Sequence, residues 1–273
     1  MSIDVQAGQL RCAAAVSTEA DTDAAVDEVC RRALAELQAP PHLALVFVSH
    51  HHGPDFAALA ARLHAQLLGA CILGCTGETI VGGGLELEEQ PALSLWVSHL
   101  PGVELVPMHL TFEQTPEGGS MVGWPDRLDG DWPAGATMIA LAEPFSFPAD
   151  VLLSRLDEDR PGVQVVGGMA SGGWQPGQNR LIFGGVEVAE GAVAVRLSGA
   201  VRVRAVVSQG CRPIGRPYVV TKAQQNVIEE LSGRPALVQL SELFGELPQA
   251  DQLLIRKGLH VGSVINEYQE TFH

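Results

Sequence analysis

Leu43-Ala44-Leu45-Val46-Phe47-Val48 is a run of six apolar residues, and the reading of this run and of the residues after it decides the fold. An apolar stretch without polar alternation is what a strand covered on both faces requires. His50-His51-His52-Gly53-Pro54 then reads as a loop, and Asp55 is placed to cap a helix with Phe56, Leu59, Ala60, Leu63 and Leu67 on one side. Gly69 ends that helix. Ala70-Cys71-Ile72-Leu73-Gly74 is a second strand, running into a small-residue turn, Gly74-Cys75-Thr76-Gly77-Glu78. Residues 80–90 and 92–98 alternate as hairpin strands, and Val103 to Leu110 supplies one more.

The same order returns downstream. Thr137 to Leu141 is an apolar strand, Pro148-Ala149-Asp150 opens a helix, Pro161-Gly162 breaks it, and Val163 to Gly168 is a strand ending in glycines. Leu59/Leu152, Arg62/Arg155, Leu63/Leu156, Gly69/Gly162 and Gly74/Gly167 share a constant offset of 93 residues. Strands come next at 181–188, 192–198 and 201–208. The reading is an internal duplication, with repeats at about 43–110 and 137–208. A sheet with helices on one face leaves the other bare. Two such units bury their bare faces together, which gives an α+β fold of β-α-β units in an α/β/β/α sandwich. Segments 74–77 and 167–173 then occupy equivalent positions near a cleft.

Upstream, residues 10–17 are a strand and Thr22 is placed to cap a helix bearing Val26, Val29, Cys30, Ala33, Leu34 and Leu37, stopped by Pro40-Pro41. Downstream, Gly210 to Pro217 is a connector. Thr221-Lys222-Ala223-Gln224 matches a capping box, so a helix over Val227, Ile228 and Leu231 is expected. A second helix begins at Arg234-Pro235, a third spans about Pro248 to Lys257, and His260 to Ile265 starts a strand. The domains are therefore 1–215 and 216–273.

The chain has 273 residues and a net charge of −15, with 46% hydrophobic and 18% charged residues. An acidic surface repels phosphate backbones and anionic headgroups, so neither nucleic acid nor a membrane is an expected partner. No apolar run reaches the roughly 18 residues a bilayer span needs, and the N-terminus lacks a signal-peptide pattern. Five cysteines in no framework spacing argue for reduced thiols and a cytoplasmic location.

Several stretches together resemble the FIST family: Val48-Ser49, Leu73-Gly74-Cys75-Thr76-Gly77-Glu78, Gly210-Cys211-Arg212-Pro213-Ile214-Gly215, Val220-Thr221-Lys222-Ala223, Asn226 to Leu231, and Pro235-Ala236-Leu237. The junction motif is the most specific of these. Residues 10–215 resemble the N-terminal FIST domain, and 216–273 the junction into the C-terminal one, most of which is absent. The resemblance implies an intracellular sensory domain in signal transduction that binds a small ligand such as an amino acid. It supplies no catalytic residue, so no enzymatic activity and no cofactor are expected. No output segment accompanies it, so a separate signalling protein is the expected partner.

The candidate ligand-binding residues are Gly74, Cys75, Thr76, Gly77, Gly167, Gly168 and Arg212. Small residues let backbone amides approach a carboxylate, and an arginine can clamp one bidentately. A tight turn that lets two sheets pack explains the same glycines, and an ion pair with Glu229 or Glu230 explains the arginine. Cys75 would be a nucleophile only with a stabilised thiolate, and no base is assignable. His50-His51-His52, with His99 or His109, is the metal candidate to set against a solvated loop; no metal site is expected. Trp174 is a candidate lid. Two further readings stand beside the sensory one. One is an interaction scaffold without a metabolite, and the other a Cys75-dependent hydrolase or transferase.

Overall fold

The computed structural model describes residues 9–115, 118–128, 130–206, 214–224 and 227–262. The first half runs β1 (Arg11–Ser17), α1 (Thr22–Leu37), β2 (Leu43–Ser49), α2 (Phe56–Gln66), β3 (Cys71–Gly77), the short pair β4 (Ile80–Gly82) and β5 (Leu85–Leu87), and β6 (Leu93–His99). The second half runs β7 (Val103–Thr115), β8 (Gly118–Val122), β9 (Thr137–Ala142), α3 (Ala149–Asp159), β10 (Gln164–Met169), β11 (Leu181–Phe183), β12 (Val186–Val188) and β13 (Ala192–Gly199). One sheet has the order β1-β6-β2-β3-β11-β12 and the other β10-β9-β13-β7-β8. The β2/β3 and β9/β10 pairs are parallel, joined across α2 and α3 respectively.

The apolar run at 43–48 behaves as its composition requires. Ala44, Val46 and Val48 pack under α1 and α2 with Val26, Val29, Phe56, Leu59 and Leu63. Leu43, Leu45 and Phe47 point the opposite way, into a layer shared with Leu73, Leu141, Leu181, Val193, Val195 and Leu197 of both sheets. Beyond the second sheet, Met138, Ala142, Ala192 and Ala194 pack with Leu152 and Leu156 of α3. The result is helix, sheet, sheet, helix: a mixed α/β sandwich whose three apolar layers arise from strands that are apolar on both faces.

The strand order departs from two simple repeats cut at 43–110 and 137–208. Val103–Thr115 lies in the second sheet, beside β13. β11 crosses to the first sheet, with Leu181, Ile182 and Phe183 facing Cys75, Gly74 and Leu73. Residues 201–206 form no strand; 207 and 208 lie outside the described residues. At α1 the cap is Asp21, whose side chain accepts from the Ala24 amide at 2.8 Å, and the Thr22 hydroxyl is free to turn elsewhere. Asp55 makes no side-chain capping bond to α2.

The chain divides into two compact units, Met1–Ala205 and Val206–His273. In the second, the expected helix at 221 is instead a hairpin, β14 (Val220–Gln224) and β15 (Val227–Leu231), followed by the two-residue strand β16 (Arg234–Pro235). The β-branched residues Val219, Val220, Thr221, Val227 and Ile228 favour extended backbone. The Thr221 hydroxyl, read as a helix cap, accepts from the Gly233 amide across the hairpin at 2.9 Å. Helices α4 (Ala236–Glu246) and α5 (Gln249–Lys257) come where expected. Arg234 holds Glu242 in a two-pronged ion pair at 2.6 and 2.9 Å. Residues 260–262 are not strand, and the remainder of the expected strand at 260–265 lies outside the described residues.

Neighbouring glycines in β10 make opposite demands. Gly167 has φ +148, and a Cβ there would sit 1.8 Å from the Ala140 carbonyl oxygen; at Gly168 a Cβ meets nothing within 4 Å. Gly167→Ala is therefore expected to cost about 2–4 kcal/mol, and Gly168→Ala to lie within about 0.5 kcal/mol of the parent. Urea unfolding of the two variants side by side measures both.

Candidate functional site

The carboxyl ends of β3, β9 and β10 converge, the position at which open α/β sheets present groups to ligands. The Ala170 amide donates to the Ala142 carbonyl at 2.7 Å, tying the end of β10 to β9. The next residue bridges the two sheets. The Ser171 amide donates to the Thr76 carbonyl at 3.1 Å, and the Glu78 amide donates to Ser171 Oγ at 3.0 Å. The two glycine-rich segments singled out in the sequence thus meet at 76–78 and 170–173.

Behind this contact lies a buried polar array that the sequence did not reveal. Glu143, the first residue after β9, is 1% exposed. Its Oε2 accepts from the Phe145 amide at 3.0 Å and from Ser146 Oγ at 2.8 Å, and its Oε1 from Asn179 Nδ2 at 3.2 Å. Asn179, fully buried, accepts from the Gly173 amide through Oδ1 at 3.0 Å. Ser146 Oγ in turn accepts from the Gly191 amide at 3.0 Å. The carboxylate is held by neutral donors, which removes the penalty of burying it unpaired and fixes the 171–179 loop over the strand ends. The signal available in the sequence was faint: Glu143 is the first polar residue after an apolar strand, directly before Pro144.

The predicted residues fall in different places. Gly74 sits inside β3, where a Cβ would lie 2.7 Å from the Val46 carbonyl oxygen, so the strand continues through the expected turn to Gly77. Cys75 points into the layer between the sheets, and burial pushes its thiol up to about 12. A thiol so raised stays protonated and is a poor nucleophile. Cys71 is also raised, to about 11. The Thr76 hydroxyl accepts from the Arg180 amide at 3.2 Å. Gly168 is exposed at the rim, Gly77 is buried against Ile80, Gly167 packs on Ala140, and Arg212 lies outside the described residues. Trp174 is 81% exposed beside this loop.

His50 and His51 are solvent-exposed, as a solvated loop requires, but His52 is not. Residues His50–Asp55 form a 3₁₀ turn that buries His52. His52 Nδ1 is hydrogen-bonded to Thr22 Oγ1 at 3.0 Å, while Nε2 is buried with no partner among the described residues. His99 bonds the Pro40 carbonyl and His109 the Glu190 carbonyl. Among the described residues no three His, Cys, Asp or Glu side chains are grouped to hold a metal. No helix among them is long and apolar enough to cross a membrane.

Comparison with known proteins bears on the whole chain. The family model described as FIST N domain matches residues 42–234. An uncharacterized protein of Mycobacterium tuberculosis is 39% identical over 260 residues, covering 95% of this chain and 66% of its own length. One from Mycobacterium bovis is 35% identical with the same coverage. The chain therefore spans 66% of the length of these relatives. A solved cyanuric acid hydrolase from A. caulinodans aligns over 71% of this chain and 72% of its own, at 13% identity and a TM-score of 0.31, too low to carry an argument.

Two outcomes are expected at these residues. Glu143→Gln sets an amide donor against the Asn179 amide donor; a loss of about 1–3 kcal/mol, with faster hydrogen exchange at the Gly173 amide, is expected by urea unfolding and exchange mass spectrometry. Burial holds the His52 pKa below its ordinary 6.5, reinforced by His51 and opposed by Asp55 and Asp21. The unfolded chain then takes up the proton first, so stability is full above pH 6.5 and falls as pH drops below it. Thermal melts from pH 8 to 5 are expected to show this slope, and His52→Asn to flatten it.

Proposed function

We propose that this chain, which belongs to the FIST family, senses a small ligand at the junction of its strand ends and passes the signal to a separate protein. The family is generally described as a sensory domain in signal transduction. An amino-acid-like ligand is the finer reading. The observation that carries it is the bridge from Ser171 to Thr76 and Glu78, which brings two small-residue segments of opposite sheets to one rim. Among the described residues strand β10 pairs only with β9, so its outer edge at Gly168 and Met169 leaves backbone groups open to a ligand carboxylate. The buried Glu143–Asn179 array supports that rim from beneath and keeps it preorganised. In this reading Gly74, Cys75, Thr76, Gly77 and Gly167 shape the site rather than touch the ligand.

An internal duplication fits the same geometry. The orders β1-β6-β2-β3 and β7-β13-β9-β10 correspond strand for strand, with the same parallel and antiparallel senses. Glu78 and Ser171, the pair that meets at the rim, are related by the 93-residue offset found in the sequence. Such a duplication would set the site on a pseudo-twofold axis.

Thermal melts with the twenty amino acids test it. A saturable rise is expected for at least one, about 2.7 kcal/mol at a hundredfold excess over the dissociation constant. Gly168→Leu, whose side chain enters open space, is expected to keep the unliganded melting temperature and lose the rise. A flat screen, with a protein partner still bound by Gly168→Leu, would favour the interaction scaffold instead.

A further inference from the structure

The outer face of the second sheet holds a hollow of about 310 Å³, separate from the strand-end rim. Its walls come from β8, from Trp124, Leu128 and Trp132, and from α3. Trp124 and Trp132 form the apolar side, their ring centres 6.5 Å apart and their planes tilted by 57°. The Trp132 indole N–H donates to the Leu128 carbonyl at 3.2 Å, which locks that ring in place. The charged side is Arg155 and Arg160 of α3 and its C-terminal cap. The Arg160 guanidinium lies 5.9 Å from the centre of the Trp132 ring, and one Nη donates to the Asp159 carbonyl. Its Nε is buried with no partner among the described residues. Arg155 is exposed and has no ion-pair partner among the described residues, in a chain whose net charge is −15.

These features leave the hollow able to hold a ligand. Two tryptophan faces stay only half-covered, and among the described residues neither guanidinium is ion-paired, although Asp159 shares the rim. Tilted aromatic walls accept a flat ring edge-on or offset, and a guanidinium matches a carboxylate through two parallel bonds. Asp159 on the same rim repels a second negative charge, which favours a monoanion over a phosphate ester. The volume sits at the lower end of the range for small-ligand sites, enough for one bicyclic ring and a carboxyl group.

We infer that this hollow is a second binding site, taking a planar aromatic monocarboxylate whose ring lies against Trp124 and Trp132 and whose carboxylate meets Arg155 and Arg160. It is independent of the strand-end rim and stands whether or not that rim binds a metabolite.

Isothermal titration with indole-3-carboxylate tests it, with neutral indole and cyclohexanecarboxylate as comparators. Saturable binding of indole-3-carboxylate is expected, with either comparator at least tenfold weaker. Arg155→Gln, exposed on α3, is expected to weaken the aromatic acid about tenfold, the equivalent of one charge-assisted bond, while leaving indole and the melting temperature unchanged. Trp132→Leu is expected to abolish binding, and Trp124→Leu serves in its place if that variant fails to fold. Gly168→Leu is expected to leave binding intact. The inference is overturned if folded protein shows no saturable heat at millimolar acid. It is equally overturned if indole and its acid bind alike regardless of Arg155, or if Gly168→Leu abolishes binding.

Discussion

Everything in the first unit rests on one apolar layer between two sheets. Leu43 and Leu73 from one side and Leu141, Val193, Val195 and Leu197 from the other fill it, and Leu181 enters it from a strand that has crossed between sheets. Because helices cover the outer faces, the central strands are apolar on both sides and have no room for chemistry along their length. Polar groups gather at strand ends and loops, with the exception of the buried Arg196 within β13, which is ion-paired with Glu104 of β7. That constraint also explains Cys75: a thiol in the shared layer is packing material, and its raised pKa comes from the same burial.

At the strand ends the second constraint operates. A carboxylate as buried as Glu143 persists only if its lone pairs are met, and here backbone and side-chain donors of the 143–146 and 173–179 segments meet them. The array ties a long glycine-rich loop to the end of β9 without using a cation. Such an arrangement is rigid and specific rather than strongly stabilising. It holds the edge of β10 and the Ser171 bridge in a fixed relation, as a ligand-reading rim requires.

Much of the architecture could be read from residue patterns. The uninterrupted run at 43–48, the helical spacing from Phe56 to Leu67 and their later counterparts identified both parallel β-α-β units and the sandwich they build. The family resemblance rested on motifs spread along the chain, and the match at 42–234 agrees with it. The junction at 221–231 was misread because Val227, Ile228 and Leu231 satisfy a helical spacing while their β-branched neighbours satisfy a strand; the hairpin hydrogen bonds, invisible locally, decided between them. His52 escaped the reading of the histidine run for a related reason, while His50 and His51 are exposed as expected. Nothing in His50-His51-His52 marks the third residue for burial against Thr22, a partner thirty positions away.

The sequence by itself determined most of the strands and helices of the sandwich, though not β8 or the end of β3, and that both sheet faces must be covered, and the family. Those properties come from local periodicity and short motifs, which need only neighbours along the chain. Tertiary structure alone decided that β11 crosses between sheets, that Ser171 meets Thr76 and Glu78, that Glu143 pairs with Asn179, and that two tryptophans and two arginines enclose a hollow beside α3. Each depends on contacts between distant residues, whose geometry is set by how the layers stack and leaves no periodic trace in the chain.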